Sequence, residues 1–139
     1  MRKIILASHH NLAKGMKETL EYIMPNLGDV TTIAAYTANT PVDQEIDSAL
    51  ADLTDTDEAI IFTDLLGGSV NQNFIRYLSL PNIHVITGMN LPVIMACLLP
   101  LGEEAIDPEN LRQGIKEGRE QLIYVNDFLT EQTIDEEDE

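Results

Sequence analysis

Basic residues are scarce in this 139-residue chain: 8 Lys and Arg stand against 24 Asp and Glu, a formal net charge of -16. Six of the acids (Glu131, Asp135, Glu136, Glu137, Asp138 and Glu139) fall at the carboxyl end, and without them the balance is still about -10. Phosphate backbones and anionic lipid surfaces are bound by cationic clusters, so nucleic acid and direct membrane insertion are not expected. The single cysteine, Cys97, excludes an internal disulfide. It sits in an apolar helical run and reads as a buried structural thiol. The longest apolar run, around 91–101, is too short to span a bilayer. No leader pattern precedes the first strand pattern, so a cytoplasmic location is expected. No Walker-type Gly-rich loop ending in Lys is present, so ATP is not the expected phosphoryl donor. The nucleophile elbow of serine hydrolases is missing as well.

What remains is an alternation of short apolar runs and amphipathic stretches. Hydrophobic residues make up 44% of the chain, enough for one core, and neither a repeat nor a linker interrupts it. Strands are expected at 3–8, 30–36, 60–64 and 83–87, with a fifth at 122–128. Helical spacing follows from Leu12, with Met16, Leu20 and Ile23 on one face. Pro41 after Thr40 opens a second helix with Thr40 as cap. Ser69 caps a third over 70–78. An almost wholly apolar helix over 91–99 calls for burial on more than one side, which suggests a subunit interface. Asp107-Pro108 opens a helix to about Gln121. The order predicts an α/β domain with a mostly parallel open sheet. Residues 1–129 form the expected domain, and 130–139 read as an acidic, disordered tail.

The candidate chemistry lies at the carboxyl ends of the strands, where parallel sheets place their sites. His9 ends the first strand. Asp64 ends the third, and Gly67-Gly68-Ser69 then turns the chain into a helix whose start suits an anion. A carboxylate beside that place repels an anion unless a proton-bearing group stands between them, and His9 is such a group. Histidine, carboxylate and anion-binding turn together suit phosphoryl transfer through a phosphohistidine: the carboxylate fixes the ring tautomer, and amides and the Ser69 hydroxyl hold the transferring oxygens. Thr63, Asn90 and His10 are possible neighbours of the site. His84, inside a strand, reads as structural. A metal site from His9, His10 and Asp64 lacks a ligand spacing, and no cofactor is expected.

Ser8-His9-His10-Asn11-Leu12-Ala13-Lys14-Gly15-Met16 resembles the first motif of the mannose-family IIA components of the bacterial phosphoenolpyruvate:sugar phosphotransferase system. Thr63-Asp64-Leu65-Leu66-Gly67-Gly68-Ser69 resembles the second, and Ile86-Thr87-Gly88-Met89-Asn90-Leu91-Pro92 the third. The resemblance implies four parallel strands with helices on both faces, plus a C-terminal antiparallel strand, here 122–128, that is often exchanged across a homodimer. It implies that His9 is phosphorylated, that Asp64 holds the other ring nitrogen, and that Gly67, Gly68 and Ser69 meet the phosphate. The implied donor is the histidine phosphocarrier protein, and the implied acceptor is a IIB component, with association with membrane IIC and IID components left open. The family usually has Gly after the active histidine, where this chain has His10. Two other functions fit the same motif: the phosphotransfer subunit of a dihydroxyacetone kinase, and a regulatory binding module controlled by phosphorylation.

Overall fold

The computed structural model describes the backbone of residues 1–138 and the side chains of 1–132. The backbone falls into two compact units, Met1–Leu91 and Pro92–Glu139.

The first unit holds a four-stranded sheet in the order β2-β1-β3-β4, every pairing parallel. Its strands are β1 (Arg2–His9), β2 (Val30–Ala35), β3 (Glu58–Thr63) and β4 (Ile83–Thr87). The helices between them are α1 (Leu12–Ile23), α2 (Val42–Leu50) and α3 (Ser69–Ile75). The chain steps from β1 outward to β2, then crosses back over β1 to β3 and on to β4. Right-handed crossovers in opposite directions put α1 on one face and α2 with α3 on the other. The core agrees. Ile5, Ala7, Ile33 and Ile61 of the strands bury together with Val42 and Ile46 of α2 and Val70 and Phe74 of α3. Alternate residues Ile4, Leu6, Ile60 and Phe62 are buried on the opposite side, and α1, which packs on β1 and β2, buries Ala13 and Leu20. Phe62 and Phe74 are wholly inaccessible, each burial stabilising by roughly 1.5–3 kcal/mol. The strand order reverses between β1 and β3, so that pair forms the switch point of the sheet.

Local starts and stops differ from expectation in two places. Thr40 does not cap α2: Pro41 is the capping residue, with no side-chain bond. Ser69 does not cap α3 either. Gly68 takes the extended capping conformation, and Ser69 is the first helical residue, which leaves its hydroxyl free for other partners. The helix stops at Ile75 because Tyr77 and Leu78 bond three residues back, to Phe74 and Ile75, and tighten the chain out of α geometry.

The second unit contains most of α4 (Leu91–Leu98), with α5 (Pro108–Glu120) and α6 (Val125–Asp138). Asp107 caps α5 by accepting from the Glu109 amide at 3.0 Å, with Pro108 at the first turn as expected. Two glycines let α5 approach α4 closely. A Cβ on Gly114 would stand 2.9 Å from the Cys97 Cα, and one on Gly118 2.8 Å from the Val93 Cα. Part of the covering that the apolar 91–99 helix calls for thus comes from within its own unit. Cys97 is buried, its thiol donating weakly to the Leu111 carbonyl. Burial first, and the Glu117 charge second, push that thiol up to about 11.

The fifth strand at 122–128 is not formed. Residues 122–124 are irregular, and from Val125 the backbone closes local helical bonds, Phe128 donating to the Tyr124 carbonyl. A strand needs a neighbour to complete its ladder, whereas a helix satisfies its backbone alone. The apolar side chains meant for that strand stay exposed, Leu122 at 92%. The stretch read as a disordered tail is helical through Asp138, while Glu139 and the side chains of 133–138 lie outside the described residues.

Candidate active site

β1 and β3 are in register with Ala7 opposite Thr63, so the next residues along each strand, Ser8-His9 and Asp64, emerge together at the carboxyl edge. Asp64 binds His9 twice through one oxygen. Its Oδ2 accepts from the His9 backbone N–H at 2.8 Å and lies 2.9 Å from the ring Nδ1. Its Oδ1 accepts from the Leu65 N–H at 2.9 Å. Burial alone would raise this carboxyl. The bonds from the His9 amide and ring, the His9 charge and the Leu65 amide outweigh it, so the net shift is downward. Asp64 is therefore ionised near neutrality and can only accept. The neutral His9 ring must then carry its proton on Nδ1 and its lone pair on Nε2. The side chain of His9 is 36% exposed, against 9% for Asp64: the carboxylate is enclosed and the ring reachable.

Ser69 Oγ lies 3.4 Å from Nε2 and also bonds the Tyr36 hydroxyl. Gly68 matters here as space. A Cβ on it would stand 2.8 Å from His9 Cε1 and 3.2 Å from the Leu65 Cβ. Its amide, expected to face an anion, is spent on the Leu65 carbonyl at 3.1 Å. Gly67 has open space where a Cβ would go.

The remaining expected residues hold the loops that follow the strands. Thr63 is buried and donates to Asn71 Oδ1 at 2.9 Å, while Asn71 Nδ2 donates to the Leu66 carbonyl at 3.0 Å. This pair fastens the loop after Asp64. The Asn90 amide donates to the Gly88 carbonyl in the loop after β4. His10 is exposed at φ 55, a left-handed conformation costing roughly 1–2 kcal/mol for a residue with a side chain. A glycine would take it freely, which gives the Gly expected there a backbone reason. The His10 N–H donates to the Ala35 carbonyl at 2.8 Å, and the buried Ser8 hydroxyl accepts from the Ala13 N–H at 2.8 Å, so the turn is tied to both β2 and α1. His84 lies at the amino end of β4, its Nε2 3.9 Å from Glu58. Among the described residues no group of three His, Cys, Asp or Glu is placed to hold a metal ion.

Sequence reasoning missed Tyr36, Asn71 and Ser8. Tyr36 falls at the end of the strand expected over 30–36, whose composition does not mark it as a site residue. An aromatic residue directly after a strand next to the switch point was the available signal.

An open parallel sheet whose switch point presents a carboxylate-held histidine and a hydroxyl defines a class: α/β proteins with a reachable imidazole at the carboxyl edge of the sheet. Residues 3–107 match the family model described as the PTS system fructose IIA component, and the chain belongs to that family of the sugar phosphotransferase system. It is 31% identical to a Klebsiella pneumoniae protein described as a phosphoenolpyruvate-dependent sugar phosphotransferase system permease, over 92% of this chain and 93% of that one, with a TM-score of 0.85. It is 28% identical to the IIA protein associated with the fucose utilization operon of Streptococcus pneumoniae, over 92% and 96% of the two chains, with a TM-score of 0.75. The mannose/sorbose-specific IIA subunit of Enterococcus faecalis shares the fold at 18% identity, over 88% and 92%, with a TM-score of 0.73. None of the curated proteins compared matches the chain. No helix among the described residues is long and apolar enough to cross a membrane.

Proposed function

We propose that this chain is a phosphohistidine carrier that takes a phosphoryl group from the histidine phosphocarrier protein onto Nε2 of His9. It passes the group to a IIB component, which drives sugar uptake and phosphorylation. The observation that carries this reading is the Asp64 carboxylate 2.9 Å from Nδ1, on a side chain that is 36% exposed and has Ser69 Oγ 3.4 Å from its other nitrogen.

In the transfer, the Nε2 lone pair attacks phosphorus and the donor's N–P bond breaks, its electron pair returning to the donor nitrogen. No proton has to leave His9. The ring keeps Nδ1–H and becomes a phosphorylated imidazolium, whose positive charge Asp64 stabilises at contact distance. Ser69, with the Gly67-Gly68 turn, lines the place of the phosphoryl oxygens. Reversal of these steps onto the IIB component returns His9 to its neutral tautomer. The carrier works in the cytoplasm as a homodimer. The exposed apolar Leu122, Tyr124 and Leu129 of the second unit support self-association, and a dimer mass in solution is expected.

The test is incubation with enzyme I, the phosphocarrier and phosphoenolpyruvate, followed by intact-mass measurement of wild type, His9→Ala and His10→Ala. One acid-labile phosphate lost only in His9→Ala is expected. Loss only in His10→Ala moves the nucleophile by one residue. Unmodified wild type alongside a phosphorylated donor overturns the reading.

A further inference from the structure

Tyr36 directly follows β2 and has the backbone of a residue held against its preference, with φ 68. A bulky side chain there is an outlier, and such outliers persist where the surroundings enforce them. The enforcing contacts are visible. Thr37 folds back on the Ala34 carbonyl through its N–H at 3.4 Å and its hydroxyl at 2.6 Å, closing a four-residue turn with Tyr36 at its third position. The carbonyl just before Tyr36, on Ala35, accepts the His10 N–H at 2.8 Å. The loop bearing Tyr36 is thus tied to the residue after His9. The consequence is a phenol beside the imidazole: ring centroids 5.7 Å apart, planes tilted by 33°, and the hydroxyl bonded to Ser69 Oγ.

The direction of the hydrogen bonds follows from Asp64. With the proton on Nδ1, Nε2 can only accept, so Ser69 spends its single proton on Nε2. The Ser69 oxygen then accepts, and Tyr36 donates. We infer that Tyr36 is a positioning residue of the phosphoryl site, aiming the Ser69 hydroxyl first at Nε2 and, once Nε2 is phosphorylated, at a phosphoryl oxygen. A phosphorylated Nε2 has no lone pair, so the Ser69 proton must find a new acceptor, and the phosphoryl oxygens are the nearest made available. Tyr36 keeps donating to the Ser69 oxygen throughout, so the Ser69 proton points away from the phenol and toward the phosphoryl oxygen. The role deepens the phosphohistidine reading and rests on it.

Tyr36→Phe removes the hydroxyl and keeps the ring against His9 and the same backbone demand. Two measurements on the full chain separate the possibilities. The first needs no phosphoryl transfer: nitrogen NMR of the His9 ring in wild type and Tyr36→Phe. The Nε2 resonance is expected to move toward that of a free acceptor while Nδ1 stays in place. The second is the initial rate of phosphorylation by the phosphocarrier for wild type, Tyr36→Phe, Ser69→Ala and the double variant. Tyr36→Phe is expected to slow transfer by about fivefold to tenfold, the worth of one aligned hydrogen bond. The double variant should be no slower than Ser69→Ala, because Tyr36 acts through Ser69. An unmoved Nε2 resonance, a Tyr36→Phe rate within about twofold of wild type, or fully additive losses overturns the inference while leaving the carrier reading intact. Wild type that takes no phosphoryl group, with active donors, overturns the carrier reading itself and Tyr36's part in transfer with it.

Discussion

The sheet carries a histidine facing a carboxylate at each end, and the two pairs are built differently. At the carboxyl edge, His9 Nδ1 is 2.9 Å from Asp64, and the histidine side chain is 36% exposed. At the amino edge, His84 Nε2 is 3.9 Å from Glu58, and its side chain is 14% exposed. Asp64 has three N–H bonds that hold it ionised despite burial. Burial dominates at His84, lowering its pKa against the opposing pull of Glu58. One pair fixes a tautomer and leaves the other nitrogen as an acceptor on a reachable ring. The other is a mostly enclosed neutral ring in the wall of the fold. Proximity of His to an acid is common to both; hydrogen-bond contact and access separate them.

The largest expected effect tests that separation directly. His9→Ala should abolish phosphorylation by the phosphocarrier, and His84→Ala should leave the extent of labelling unchanged in the folded fraction, both read by intact mass. Next comes the carboxylate. Asp64→Asn keeps the shape but offers Nδ1 an amide that can donate, which releases the tautomer; initial transfer rates should fall by about 10²-fold or more. The same substitution has a stability signature. Asp64 lies below its ordinary value of 3.8, so its contribution is complete above that value and is lost as the pH falls through the lowered one. Urea midpoints of wild type and Asp64→Asn should differ at pH 6 and converge under strong acid.

A smaller effect distinguishes the two glycines of the turn. A Cβ at Gly68 meets His9 Cε1 at 2.8 Å and must push the ring, whereas one at Gly67 meets open space. Gly68→Ala should slow transfer roughly tenfold by misaligning Nε2, and Gly67→Ala should be near neutral, as measured by phosphorylation time courses. The smallest effect belongs to His84. Its folded pKa lies below the ordinary 6.5, so the unfolded chain binds the proton first. Stability should therefore fall as the pH drops through that window, and His84→Gln should flatten the dependence in urea titrations between pH 7.5 and 5.5.

Much of this was legible in the residues. The buried runs of β1 and β3 announce central parallel strands, and a strand-end His and a strand-end Asp on elements flanking the switch point must meet. Local chemistry was less legible. Ser69 looked like a cap because Ser caps helices, yet Gly68 takes the cap and releases the Ser69 hydroxyl to His9 and Tyr36. Tyr36 was hidden because its positive φ runs against its own propensity and is imposed by bonds from Thr37 and His10. The 122–128 stretch has a strand's composition, but composition does not supply the neighbouring edge that a strand requires.

The most direct test of the central claim is phosphorus–nitrogen coupling in the phosphorylated protein carrying nitrogen-labelled histidine. One phosphoryl group coupled to Nε2 of His9 is expected, with Nδ1 still protonated toward Asp64. Coupling to Nδ1 of His9, or to either nitrogen of His10, would overturn Nε2 as the carrier atom.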